Sequence, residues 1–244
     1  MRIGLFGRGR LGSAILAAAQ CQEDLQISWV VDQGETPSGA VDVAIDASVA
    51  AAVEDHLAWA LATGTDLVVG ATGWEIKDLQ ARVNDRIGVL TASNFSLTVA
   101  FMARLSTVLG RYAQLDPSRD PYVFEHHHRF KADAPSGTAK TLAAAVLEGC
   151  PRKSEWTSGP TLAIQPHQLN IGVLRAGSEF GLHTVGIDSP AETLEITHHA
   201  RSRAPFGAGA LTAARWIQGR KGIFSMDQLA ASLLHPLFIP GANP

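Results

Sequence analysis

Over its first part the chain alternates short apolar runs with longer stretches of helical period. Residues 2–6 read as a strand, and a helix is expected from Ser13 to about Gln20. Strands follow at Gln26–Val31, Val43–Ala47, Leu67–Val69 and Ile87–Leu90, with helices expected from about Val49 to Thr63 and near Ile76 to Val83. Such alternation predicts an α/β fold built on a doubly wound parallel sheet, whose ligands sit beyond the carboxyl ends of the strands.

The pattern changes after a helix expected from Leu97 to about Gly110. Pro117, Pro121, Pro151, Pro160 and Pro166 interrupt the chain, and β-rich runs appear at Leu169–Leu174, Phe180–Ile187 and Thr193–His198. Consecutive strands joined by short turns indicate an antiparallel sheet. A closing helix is expected from about Gly207 to Gln218. The chain therefore divides into residues 1–97 with 208–244, and a second α+β domain over 98–207 with an open, mainly antiparallel sheet.

The glycine turn Gly7-Arg8-Gly9-Arg10-Leu11-Gly12 follows the first strand at once and opens the first helix. The second strand delivers Asp32, 20 positions after Gly12, at about the offset of the acid that binds an adenosine ribose. Strand, glycines, helix, second strand and acid in this order predict a Rossmann-like dinucleotide site. Gly70-Ala71-Thr72-Gly73 and Ser93-Asn94-Phe95-Ser96 end later strands at the same edge, although turn chemistry alone would also explain them. Asp32 is followed by Gln33 and Gly34, with no basic residue to receive a 2′-phosphate, which favours NADH over NADPH. Arg8 could still reach such a phosphate, so use of both cofactors stays open.

The composition narrows the function classes. Of 244 residues 46% are hydrophobic and 18% charged, the profile of a folded chain. With 20 Lys and Arg against 23 Asp and Glu, the formal charge of -3 argues against a nucleic-acid or anionic-membrane partner, so any basic site must be local. No run of about 18 apolar residues occurs and the N-terminus lacks a signal-peptide pattern, so a cytoplasmic protein is expected. Cys21 and Cys150 lack metal or redox spacing and are expected to be reduced.

The densest chemistry runs from Glu125 to Thr138, EHHHRFKADAPSGT. Pro135 favours an extended Ala134, Ser136 is a good N-cap, and Gly137 and Thr138 occupy the first turn of the helix that follows. A helix N-terminus beside Arg129 and Lys131 suits a carboxylate or phosphate. The histidines add a proton donor near neutrality, although successive side chains on a strand end alternate and cannot all face one site. Their spacing is poorly matched to a zinc site, and no metal is expected. His198 and His199 lack such neighbours and read as polar packing.

The segment His127–Ala139, HHRFKADAPSGTA, resembles the signature of the 4-hydroxy-tetrahydrodipicolinate reductase family. The likeness extends over nearly the whole chain: through the glycine turn, Gly70–Gly73, Ser93–Ser96, Leu174–Gly177, Gly181–Val185, Leu194–His198 and Lys221–Met226. The resemblance implies a homotetrameric reductase of lysine and diaminopimelate biosynthesis, in which NADH or NADPH gives a hydride to C4 of a cyclic imine bearing two carboxylates. The second domain would then bind substrate and form the tetramer. By position, His127 would be the general acid and Lys131 its catalytic partner, with His128, Ser136, Gly137 and Thr138 binding the substrate. Gly7, Arg8, Gly9, Arg10, Leu11, Gly12, Asp32, Gly70, Ala71, Thr72, Ser93, Asn94, Phe95 and Ser96 would bind the cofactor.

The chain departs from the family pattern in a glycine turn one residue shorter than the commonest form. It also has Phe130 where members often carry His. Two other functions compete: a different two-domain nicotinamide-dependent dehydrogenase of amino acids or imines, and a nicotinamide-sensing protein without turnover. A sensor would have no need of His127, His128, Lys131 and the Pro-Ser-Gly-Thr turn together.

Overall fold

The structure, a computed structural model, describes residues 1–159 and 163–239; Pro160 and the last five positions of the tail lie outside the described residues. In chain order the elements begin with β1 (Arg2–Phe6), α1 (Arg10–Ala19), β2 (Gln26–Val31), β3 (Val43–Asp46), α2 (Val53–Thr63), β4 (Asp66–Val69), α3 (Leu79–Val83) and β5 (Gly88–Thr91). They continue with α4 (Leu97–Gln114), β6 (Asp120–His127), α5 (Gly137–Gly149), β7 (Glu155–Ser158), β8 (Gln168–Arg175), β9 (Gly181–Asp188) and β10 (Thr193–Ala200). The last are α6 (Ala204–Ile217), β11 (Gly222–Ser225) and α7 (Met226–Leu234). Two compact units result, Met1–Leu97 with Arg203–Pro244, and Thr98–Ser202.

The first unit holds a six-stranded sheet in the order β11-β5-β4-β3-β1-β2, with every pairing parallel. Its strands are apolar on both sides because helices cover both faces. Ile3, Leu5, Val43, Ile45 and Leu90 pack with Ile15 of α1, Leu211 of α6 and Leu229 of α7. The alternate residues Phe6, Ala44, Leu67 and Val89 pack with Leu57 of α2 and Val83 of α3. The buried Asp66 carboxylate accepts from the Gly88 and Gly219 backbone N–H groups, both at 2.7 Å, and so joins β4, β5 and the end of α6.

Local differences from expectation have local causes. A short 3-10 turn at Ala50–Ala52 precedes α2. The helix near residue 76 begins only at Leu79, because Asp78 adopts a left-handed φ of 56°. Neither β11 nor α7 stood out by periodicity, yet α7 opens on a capping box made by Ser225 and Gln228.

In the second unit the five-stranded sheet has the order β10-β9-β6-β8-β7. Pairings β10–β9 and β9–β6 are antiparallel, while β6–β8 and β8–β7 are parallel, so the sheet is mixed where a mainly antiparallel one was expected. The crossover through α5 sets this arrangement: it returns the chain alongside β6 and places β8 parallel to it, so β8 and β9 do not pair despite their short connection. One face packs Val123, Ile171 and Val185 against Met102, Leu142 and Val146. On the other face Tyr122, Phe124, Asn170, Gly172, Thr184 and Glu195 border a shallow hollow of about 250 Å³.

Candidate active site

At the carboxyl end of β1 the chain turns through Gly7, whose φ of 95° favours glycine. A Cβ at Gly12 would lie 2.1 Å from the Gly7 carbonyl oxygen, so this position must be glycine for α1 to start so close to the strand. Gly9 is the N-cap of α1 and offers no side-chain cap, which leaves first-turn N–H groups for an anion. Beside this turn lies a cavity of about 690 Å³ lined by Gly7, Arg8, Gly9 and Asp32 of the expected residues, and also by Glu35, His56 and Trp59. The glycine cradle and the cavity fit a dinucleotide phosphate and its adenosine half.

The remaining expected cofactor residues do not line this cavity. Arg10, Leu11 and Gly12 form the start of α1. Gly70 and Ala71, with Thr72, follow β4, and a Cβ at Gly70 would meet the Phe95 ring at 2.7 Å and Leu11 at 2.8 Å. Phe95 is therefore a buried packing residue. Ser93 and Asn94 follow β5, and Asn94 Oδ1 accepts from the Ser96 N–H at 2.8 Å.

Two features of the cavity escaped the sequence reading. Arg8 donates to the Val30 carbonyl at 2.7 Å and pairs with Glu35 at 2.8 Å, while Glu35 also accepts from the Asp32 N–H at 2.8 Å. Buried Asp46 accepts from the Ser48 N–H at 2.9 Å and lies 2.7 Å from His56 Nδ1, and the His56 ring stacks on Phe6 with centroids 3.8 Å apart.

The second cluster forms where β6 and β8 end. Strand alternation puts Glu125 and His127 on one face of β6. Register puts His183 of β9 opposite Glu125 and Arg175 of β8 opposite His127. Ser136 caps α5 by accepting from the Ala139 N–H at 3.1 Å. Its own N–H donates to Glu125 Oε1 at 3.0 Å, and Arg175 donates to the same oxygen at 2.7 Å. Ser136 Oγ also lies 3.2 Å from His183 Nε2.

Of the other expected residues, Gly137 and Thr138 open α5. Lys131 Nζ lies 2.6 Å from Asp133 Oδ1, and the His128 N–H donates to the Glu179 carbonyl at 2.7 Å. Phe130 is 78% exposed under the Arg129 guanidinium, so it fills no pocket. His198 stands opposite His183, and His199 pairs with Glu179 at 2.9 Å.

Burial works to raise the Glu125 carboxyl, but His183, Ser136 and Arg175 outweigh it and hold the group well below the usual carboxylate range. His127 is pushed down to about 4, first by burial and then by the charge of neighbouring His183, Lys131 and Arg175. Glu125, His127 and His183 bring ligand atoms within 4.8 Å of one another, a donor set a divalent ion could use. The Arg175 guanidinium already neutralises Glu125 and would repel such an ion, so the cluster suits proton handling better.

Sequence reasoning singled out His127 and Ser136 but gave no role to Glu125, Arg175 or His183. Glu125 was within reach, since two residues apart on a strand means one face. Arg175 and His183 enter through cross-strand register, which a single sequence does not disclose.

Comparisons with known proteins agree over most of the chain. Residues 1–95 match the family description Dihydrodipicolinate reductase, N-terminus, and residues 96–229 match Dihydrodipicolinate reductase, C-terminus. A 4-hydroxy-tetrahydrodipicolinate reductase of Zymomonas mobilis is 36% identical over 248 residues, covering 94% of this chain and 96% of the relative. One of Akkermansia muciniphila is 37% identical over 236 residues, covering 91% and 94%. The solved dipicolinate-bound dihydrodipicolinate reductase of a Paenisporosarcina species shares the fold, with a TM-score of 0.74, 19% identity and coverage of 92% and 97%. By both halves of its sequence, the chain belongs to the dihydrodipicolinate reductase family.

Proposed function

We propose that the chain reduces 4-hydroxy-tetrahydrodipicolinate to tetrahydrodipicolinate in lysine and diaminopimelate biosynthesis, with a reduced nicotinamide nucleotide as donor. The observation that carries this is the cluster of His127, Glu125 and Arg175 beside the N-terminus of α5 in a chain of this family. The Gly7–Gly12 turn would hold the nicotinamide nucleotide, whose chemistry here would be to supply a hydride. Gly137 and Thr138 N–H groups at the start of α5 hold a substrate carboxylate, helped by His128 and the helix dipole. Once water is lost across C4 and the adjacent carbon, leaving a double bond conjugated to the ring imine, a hydride added at C4 would push that bond's electron pair toward the ring nitrogen. Lys131, released from Asp133, stabilises that charge, and His127 donates the proton that completes the adjacent carbon. The dianion brings negative charge to His127 and favours its protonated form, which offsets the effect of burial.

NADH is the preferred donor, because Asp32 and Glu35 place two carboxylates where a 2′-phosphate would need cations. The chain assembles as a homotetramer, supported by the uncovered sheet face that carries Phe124 and the 42% exposed Leu174. Its place is the cytoplasm, in keeping with two free cysteines; no helix among the described residues is long and apolar enough to cross a membrane. The test is loss of reduced-nicotinamide absorbance, with NADH and with NADPH, on substrate freshly generated by the preceding synthase. Consumption supports the reading, and its absence with both cofactors overturns it.

A further inference from the structure

Glu125 divides its two oxygens between different tasks. Oε1 takes the Ser136 N–H at 3.0 Å and Arg175 at 2.7 Å, which ties β6 to β8 and to the start of α5. Oε2 is buried and, among the described residues, has no hydrogen-bond partner, although leaving a buried carboxylate oxygen unsatisfied is costly. The groups that face it are two imidazoles: His127 Nδ1 at 3.4 Å and His183 Nε2 at 3.6 Å. His127 Nδ1 is likewise buried without a partner. On the other side of the same ring, a Cβ at Gly181 would lie 3.2 Å from Nε2, so glycine at this position keeps that nitrogen from being crowded by a side chain.

We propose that Glu125 is the positioning residue for His127: Oε2 accepts a hydrogen bond from Nδ1–H and holds the ring so that Nε2 is turned away from Glu125, on the side of Gly181. The inference rests on the reading of His127 as proton donor and adds what orients it. In the imidazolium both nitrogens carry protons. When the Nε2–H bond breaks and its proton forms the new C–H bond on substrate, the neutral ring keeps its proton on Nδ1, against Glu125. The 3.4 Å separation is long for a hydrogen bond, as is common before substrate closes a site. Arg175 and the Ser136 N–H fix Oε1, so rotation of the carboxylate away from His127 would break two bonds. The charged and titratable groups around this contact are Arg175 on β8, His183 on β9, and Lys131 in the loop after β6.

The test compares Glu125→Gln, His127→Gln and the double variant, with His127 titrated by NMR in the cofactor-bound wild type and in Glu125→Gln. We expect Glu125→Gln to lower kcat by roughly 10- to 100-fold, less than the roughly 10²- to 10⁴-fold worth of the proton donor that it positions, with KM within about threefold. The double variant should be no slower than His127→Gln, because Glu125 acts through His127. His127 should titrate lower in Glu125→Gln than in wild type. An unchanged His127 titration overturns the proposal whether or not the protein turns over, as does an additive double variant. If Glu125→Gln does not fold, Glu125→Asp replaces it, with its shift of His127 and its non-additivity read the same way. Wild-type turnover is read separately, since its failure counts against the function and not against the Glu125–His127 contact.

Discussion

Arg8 and Glu35 form an ion pair at 2.8 Å on the rim of the cavity beside the Gly7–Gly12 turn, and the same Glu35 oxygen accepts from the Asp32 N–H at 2.8 Å. The Arg8 hydrogen bond holds the Glu35 carboxyl below its ordinary range, so it stays anionic beside Asp32. The cation that could receive a 2′-phosphate is thereby occupied. Replacing Glu35 by Gln frees Arg8 and removes a repelling charge. The NADPH to NADH ratio of kcat/KM should rise about twofold to fivefold, as expected for one exposed charge pair. An unchanged ratio would remove Glu35 from cofactor selection.

Gly12→Ala places a methyl 2.1 Å from the Gly7 carbonyl oxygen, where only backbone movement could relieve the clash. The variant should lose about 1–3 kcal/mol in denaturant unfolding, the usual cost of an overpacked site. It should also bind NADH more weakly by equilibrium titration, because the shifted backbone is the one that faces the phosphates. Wild-type stability and affinity together would show that the turn has slack.

The pH dependence of stability follows from the depressed His127. Its folded value of about 4 lies below the ordinary 6.5, so between these values the unfolded chain binds a proton that the folded chain does not. Stability is therefore full above about pH 6.5 and declines as pH falls toward 4. His198, lowered first by burial and then by His183, acts in the same direction. Glu125, also depressed, adds a further loss below the ordinary carboxylate value of 4.5. Thermal unfolding of His127→Gln should show a shallower fall in Tm from pH 6.5 to 4.5 than wild type. Parallel curves would count against a buried neutral His127.

Titration of the free protein with dipicolinate near pH 7 should take up protons, because two carboxylates beside a neutral His127 favour its charged form. Calorimetry in buffers of different ionisation enthalpy measures the uptake. Binding without proton uptake would show that the ligand does not charge this histidine.

Much of the first unit was legible because its signals are local. Apolar runs of three to six residues, the Gly7–Gly12 turn and Asp32 all lie in short windows, and β1, β3, β4 and β5 carry their own evidence of burial on both faces. The second unit was less legible. Short links around Leu169–His198 suggested neighbours in sequence pairing in space, yet β6 lies between β8 and β9. The same non-local register hid Arg175 and His183 from any reading of the HHHRFK segment. Glu35 was hidden for another reason: an acidic residue in a polar loop looks like solvated surface until its partner, Arg8, arrives from the turn after β1.

The role of His127 as proton donor in a nicotinamide-dependent reduction stands or falls on turnover. Steady-state turnover of freshly made 4-hydroxy-tetrahydrodipicolinate by wild type and His127→Gln, with NADH affinity measured on both, tests it most directly. We expect steady consumption of NADH by wild type and a kcat lowered roughly 10²- to 10⁴-fold in the variant, with NADH affinity unchanged. Equal turnover by the two proteins would contradict it.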